Sequence, residues 1–533
     1  MPRRPSTFRR LLRLACLGLF CAAAPSAAAA AANGPRTLTV FATTDIHGSI
    51  ARTGTLYAEH NDGSLLAVAH RIRAEAASAP GAVLVLDCGD VFQGTLESRD
   101  TGGRAVAEVL NAIGCDAFAL GNHDFEFGLG VLNSFLLDID AVPLAANLRV
   151  PPGSGEGLSR IRPYAIFERG GLKIAVVGLT TPNLLRWYPD GFLGRLEVFR
   201  SLRALEHVMP AVNAENPDVR ILLLHQGLLH GADDVANEVF AICNAFRQFD
   251  FVFGGHLHWV EPGREIATTP YAQAGSGARG FLRADFSLDA RGTLVRRSVR
   301  YIPVNTPDAP EDEALRARLA PVLEAAWAAL REPLATATAR IAPSEGLGGE
   351  STMQRLLAAA FREAADADVV LHGILSSHAF SEGPITLSDV WKAVPYENDI
   401  YVARLSKKEI LAALEEGSVH AGTKRQFAAY GLTYTLSPDA PAGKRISDVR
   451  LVATGKRLSG LKRYRVALNR YHLASGGGRF RNLAEAAQAP RARLEKIGSA
   501  RDLLAAYLRR HPVVSPDPAR DVTVRRGAPA EGR

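Results

Sequence analysis

"DAFALGNHDFEFG", residues 116–128, decides the reading of the fold. The apolar run Asp116–Leu120 reads as a buried strand, and Asn122, His123, Asp124 and Glu126 follow it at once. A plain turn does not need so many groups able to bind metal or move protons. In α/β sheets, ligands bind outside the carboxyl ends of the strands. The same pattern recurs at four other places. "TVFATTDIHG" (39–48) ends in Asp45 and His47, and "VLVLDCGDVFQG" (83–94) in Asp87, Gly89 and Asp90. "ILLLHQG" (221–227) ends in His225, and "FVFGGHLHW" (251–259) in His256 and His258. Alone, an Asp-x-His is most often a turn cap and a Gly-His-x-His a satisfied core pair. Five strand ends in succession point to one shared rim.

Strand-like segments at 37–43, 82–87, 116–120, 173–180, 220–225 and 249–254 alternate with helical patterns such as 63–79 and 102–114. Such alternation implies βαβ units. The 533 residues are 47% apolar and 22% charged, an ordinary globular composition for two or three domains. Residues 1–32 read as a secretory signal peptide: a basic start, a short apolar core and small-residue cleavage sites. The expected location is therefore periplasmic or extracellular. Arg3, Arg4, Arg9, Arg10 and Arg13 lie in that segment with no acid, so without it the formal charge falls from +7 to +2. A near-neutral mature chain argues against a nucleic-acid polymer as partner. After residue 35 no run is long and apolar enough to span a bilayer.

Residues 33–302 form the expected catalytic domain. The Pro-rich "PVNTPDAPEDE" (303–313) opens a linker with a helix, 303–344, followed by a second domain, 345–512, and a disordered Pro/Gly/Arg-rich tail, 513–533. Cys88, Cys115 and Cys243 read as buried free thiols, with a Cys88–Cys115 bridge as the alternative.

Imidazole, carboxylate and amide oxygen without thiolate suit Zn, Mn, Fe or Co rather than a structural zinc site. Two metals roughly 3.5–4 Å apart need a bridging carboxylate. Asp90, flanked by Gly89, is the candidate. Two divalent cations against Asp45 and Asp90 leave positive charge to hold a hydroxide and an anionic substrate.

Taken together, Asp-x-His, "GDVFQG", "GNHD", the lone His225 and "GHLH" resemble the calcineurin-like metallophosphoesterases. "GNHDFEFG" and "QAGSGARGFL" (273–282) resemble more narrowly the 5′-nucleotidase family of secreted two-domain enzymes. The resemblance implies an α/β fold: a β-sandwich flanked by helices, plus a smaller α+β substrate domain. It implies two divalent metal ions, Zn, Mn or Co. One would take Asp45, His47, Asp90 and His258, and the other Asp90, Asn122, His225 and His256. It gives His123 the role of stabilising the transition state. Glu126 stands where the family has Asp as partner of His123, and Glu126→Asp is expected to be tolerated. The implied reaction is attack of a metal-bound hydroxide on the phosphate of a nucleotide substrate, by a secreted 5′-nucleotidase that is expected to be a monomer. Alternatives are a 2′,3′-cyclic phosphodiesterase/3′-nucleotidase, a UDP-sugar hydrolase, or a non-enzymatic binding protein on the same scaffold.

In the second domain, "RQFAAYGLTY" (425–434) and "VALNRYHLASGGGRF" (466–480) resemble the segments whose aromatics sandwich the base, which makes Phe427 and Phe480 the expected rings, with Phe480 exposed. The family's substrate arginine is missing from "LHGILSSHAF" (371–380), and no arginine lies between Glu363 and Ala403. Arg425 is the expected substitute.

Overall fold

The computed structural model describes residues 36–57, 63–188, 191–343, 351–423, 427–475, 479–519 and 521–525. The predicted signal segment and Arg425 lie outside these residues.

Two six-stranded mixed sheets make the first domain. In one, the strands run in the order Leu294–Pro303, Gly280–Leu288, Arg36–Thr43, Ala82–Asp87, Ala117–Ala119, Val142–Leu144. In the other, the order is Val260–Ile266, Thr269–Ala274, Phe251–Gly254, Val219–Leu224, Leu172–Leu179, Tyr164–Arg169. The central strands are parallel, as βαβ connection requires. Successive side chains go to opposite faces, and both faces are buried. Leu38, Val40, Leu84 and Leu86 meet Ile174, Val176, Ile221 and Leu223 between the sheets. Phe41 and Val85 pack outward under the helices Leu65–Ala77 and Arg104–Ala112. Leu222 and Leu224 pack outward under Ser201–Ala214 and Val239–Ala245. This double burial explains why the strands read as continuous apolar runs rather than alternating ones. Cys88, Cys115 and Cys243 are buried and free, so no Cys88–Cys115 bridge forms.

The Pro-rich stretch leads into the helix Glu313–Leu330, whose start is capped by the Asp312 carboxylate accepting from the Leu315 amide at 3.0 Å. Leu315, Leu319 and Leu323 bury in the first domain. Leu330 lies in a joint with Leu56, Leu96 and Trp391 of both domains. Ser388 Oγ donates to the Leu56 carbonyl at 2.6 Å across that joint.

The second domain is built on a five-stranded sheet, in the order Phe427–Tyr430, Val369–Gly373, Arg463–Asn469, Asp399–Ser406, Glu495–Ser499. Its first strand, Pro333–Ala337, pairs with Gly383–Thr386 and with Val513–Val514. The domain therefore begins inside the predicted linker. The described part of the tail, to residue 525, is also more ordered than its composition implies. Val522–Val524 adds to the strand Leu432–Leu436, and Arg355 holds Asp517 at 2.7 Å and Asp521 at 3.1 Å. Val514 and Val522 are buried, and pairing and ion pairs outweigh local composition there.

Truncation after Pro512 would remove both valines from the core. Burial of two valine side chains contributes about 3 kcal/mol, so a lower urea midpoint is expected; an unchanged midpoint would restore the disordered-tail reading.

Candidate metal centre and active site

The strands Arg36–Thr43, Ala82–Asp87, Ala117–Ala119, Val219–Leu224 and Phe251–Gly254 end on one rim and deliver every expected metal ligand to it. Ligand atoms of Asp45, His47, Asp90 and His258 all lie within 4.8 Å of one another, and so do those of Asp90, His225 and His256. Asp90 belongs to both groups. Asn122 Oδ1 lies 3.3 Å from His225 Nε2, at the second group.

The backbone is bent to make this possible. Asp45, His47, Asp90, His256 and His258 all have positive φ, from 49° to 73°, a conformation that costs energy in non-glycine residues. Gly121 must be glycine for packing reasons: a Cβ there would lie 2.1 Å from Asp90 Oδ1. The turn is braced by Asp124, which accepts from the amides of Asp90 (3.0 Å), Val91 (2.8 Å) and Gly121 (2.8 Å). Asp87 braces the neighbouring loop by accepting from Gly89 N at 2.7 Å, and burial pushes its carboxyl up to about 7.

The imidazoles are set for ligation. His47 Nδ1 donates to the Gln93 carbonyl at 2.9 Å, and His225 Nδ1 to the Cys88 carbonyl at 2.7 Å. Each is thereby left with Nε2 facing the cluster. Burial first, then neighbouring charge, pushes His47 down to about 3 and His256 down to about 4, so both are neutral, as metal ligands must be. His225 goes the other way: burial opposes its charge, but Asp90 and Asp45 raise it to about 10. The buried carboxylates thus demand a cation. His47 Nε2 and His258 Nε2 stand 3.0 Å apart, which requires a proton or a cation between them. Asp90 Oδ2 is buried and accepts no hydrogen bond among the described residues; its nearest cationic neighbour is His225 Nε2 at 3.1 Å. The donor set fits two shared divalent cations.

His123 sits beside this cluster. Its amide donates to Asp90 Oδ1 at 2.7 Å, its ring centroid lies 5.4 Å from that of His47, and its Nδ1 bonds Glu126 Oε2. Burial lowers its pKa. A cavity of about 520 Å³ opens at His123, lined on one side by His256 and His258 and on the other by second-domain residues including Tyr396, Asn398, Asn469, Tyr471 and Phe480.

The aromatic expectation needs correction. Phe480 is 0% exposed rather than displayed on a loop, and Phe427 is 5% exposed. Their centroids are 4.9 Å apart, edge to face, and both pack on His472. No slot for a base exists between them; Phe480 contributes an edge to the cavity. Tyr396, 37% exposed and stacked on His123 at 5.8 Å, is the more open ring. Sequence reading also missed Arg470, which enters the site from the end of the strand Arg463–Asn469 and bonds Glu126. The strand-end rule that found the metal ligands, applied to the second domain, would have found it.

Comparison with known proteins agrees with this geometry. Residues 38–260 match the calcineurin-like phosphoesterase family model, and residues 333–485 match the 5′-nucleotidase C-terminal domain. The chain is 27% identical over 497 residues to protein UshA of Yersinia enterocolitica, covering 83% of this chain and 86% of that one. It is 26% identical over 487 residues to a 5′-nucleotidase of Vibrio cholerae, covering 83% and 85%. In fold it is similar to a 5′-nucleotidase precursor from Thermus thermophilus (TM-score 0.67, 23% identity, 92% and 99% covered). It is also similar to the sulfate thiohydrolase SoxB of Thermus thermophilus (TM-score 0.62, 22% identity, 91% and 96% covered). With its paired domains and its clustered carboxylates and imidazoles, the chain belongs to the 5′-nucleotidase family of calcineurin-like metallophosphoesterases, as a metal-dependent phosphoric ester hydrolase.

Proposed function

We propose that the protein is an exported hydrolase that releases phosphate from nucleotides, working as a monomer with two divalent cations, Zn, Mn or Co. The observation that carries this reading is the cavity itself. One wall is the carboxylate–imidazole cluster, suited to a phosphoryl group; the other presents aromatic rings and the amides of Asn398 and Asn469, suited to a nucleoside. In this reading Asp45, His47, Asp90 and His258 hold one cation, and Asp90, Asn122, His225 and His256 the other. Bound there, the cations supply Lewis acidity and lower the pKa of water. His123, aimed by Glu126, stands beside the phosphoryl oxygens, where in its imidazolium form, paired with the Glu126 carboxylate, it would offset charge that grows there. Export rests on the basic, then apolar, first 32 residues; among the described residues no helix is long and apolar enough to cross a membrane.

Phosphate release from AMP, 3′-AMP, 2′,3′-cyclic AMP and UDP-glucose, with added Mn or Zn, tests the substrate class. AMP is expected to be the best substrate. Preference for a cyclic or 3′ ester, or for the nucleotide sugar, would move the protein to those activities, and turnover of none would end the nucleotide reading.

Asp90→Asn removes the shared carboxylate. It is expected to abolish measurable turnover and to lower the metal content of the purified protein, read by elemental analysis. Retention of both metals would show that Asp90 is not the bridge.

His123→Asn should keep the metal content and lower kcat by about 10²- to 10⁴-fold, the usual contribution of a positioned proton-transfer group. Full activity in this variant would remove His123 from the mechanism.

A further inference from the structure

Glu126 has two partners, one for each carboxylate oxygen. Oε2 bonds His123 Nδ1, three residues away, and Oε1 bonds Arg470 Nη2, from the other domain. Arg470 Nη1 also reaches the Glu126 carbonyl and Asp399 Oδ2, each at 3.4 Å, and Nη2 reaches the Glu397 carbonyl at 2.5 Å. The guanidinium lies over the rings of Tyr188, at 5.1 Å, and Phe192, at 5.7 Å. Tyr188 in turn donates from its hydroxyl to the Asn122 carbonyl at 2.5 Å. Arg470 and Glu126 are both buried.

We propose that Arg470 is a positioning residue that acts through Glu126 on His123, so that the second domain sets the orientation of the first domain's catalytic histidine. This rests on the role of His123 given above. Both Nη groups are engaged by protein acceptors, which argues for positioning rather than for direct binding of substrate. The planar fork spans acceptors from two domains at once, a geometry that a lysine ammonium does not reproduce. Without Arg470, Glu126 Oε1 is left buried and unpaired, and the carboxylate is free to leave His123. The extra methylene of Glu126 also acquires a purpose. An aspartate bonded to His123 falls short of Arg470, so the tolerance of Glu126→Asp expected from sequence reverses.

The test is steady-state kinetics of the metal-loaded full chain on AMP and on p-nitrophenyl phosphate, which has no nucleoside. Arg470→Met is expected to lower kcat for both substrates by about 10- to 100-fold, the usual effect of losing a group that orients a site residue. KM should stay within about twofold and metal content should not change. Glu126→Ala should lower kcat at least as much, and Glu126→Ala with Arg470→Met no further, because the two act as one unit. Arg470→Lys should not restore kcat. Multiplying losses in the double variant, or a rise in KM confined to AMP with kcat kept, would overturn the proposal and make Arg470 a substrate contact. Should Arg470→Met fail to fold, Glu126→Asp keeps both charges and is expected to show the same loss of kcat; wild-type kcat in that variant would also overturn it. His123→Asn separates the two readings. If it abolishes turnover while Arg470→Met costs nothing, only the coupling fails; if it leaves turnover intact, the role of His123 fails first.

Discussion

The buried Asp90 carboxylate is the constraint on which the first domain depends. Its Oδ1 accepts from the His123 amide at 2.7 Å, its Oδ2 faces His225 at 3.1 Å, and its own amide is held by Asp124. Three strand ends are thereby tied to one side chain. Burying a carboxylate is costly unless positive charge is brought to it. Here burial works against Asp90, yet the surrounding histidines hold it well below the usual carboxylate range. Five residues of this cluster also have positive φ. A relaxed backbone would splay the donors, and the two rigid sheets behind them supply the stability that absorbs the strain.

This dependence explains what the sequence made legible. The candidate metal ligands sit one to four residues beyond apolar strands, so strand and ligand are read in a single local pattern, as in "FVFGGHLH". The apolar runs and the helical patterns between them imply βαβ units, while the stacking of two sheets as a sandwich comes from the family resemblance. The features that escaped are set by distant contacts. Arg470 meets Glu126 across 344 residues of sequence. Phe480 follows a glycine run that reads as an exposed loop, but Phe427 and His472 enclose it. The tail is polar and proline-rich, and its valines are ordered by pairing with Pro333–Ala337 and Leu432–Leu436 and by the ion pairs of Arg355. Local composition carries no information about such partners.

The linker illustrates the same limit. It reads as a Pro-rich connection, yet the helix that follows is seated on the first domain by Leu315, Leu319 and Leu323. Proline content fixes the local chain direction and says little about freedom at the joint. What holds the domains is a set of specific contacts: Leu330 against Trp391, Ser388 to Leu56, Arg99 to Asp502 at 3.1 Å, and Arg470 to Glu126. The last is at the active site, so the geometry of the joint and the geometry of His123 are linked through one ion pair.

That link also bears on specificity. A 5′-nucleotidase precursor and a sulfate thiohydrolase share this fold, so the fold alone does not name a substrate. In the proposed reading the choice falls to the second-domain wall. Among the described residues, the arginines lining the cavity are Arg470 and Arg479. Arg470 is committed to Glu126, Glu397 and Asp399. Arg479 donates to the Tyr471 hydroxyl and lies over Tyr471 at 5.4 Å and Phe480 at 5.8 Å. With no arginine from Glu363 to Ala403, a phosphoryl group bound as proposed would have the two cations and His123 as its main positive partners. Anchoring of the rest of the substrate then rests on rings and amides, which discriminate by shape and hydrogen bonding rather than by charge.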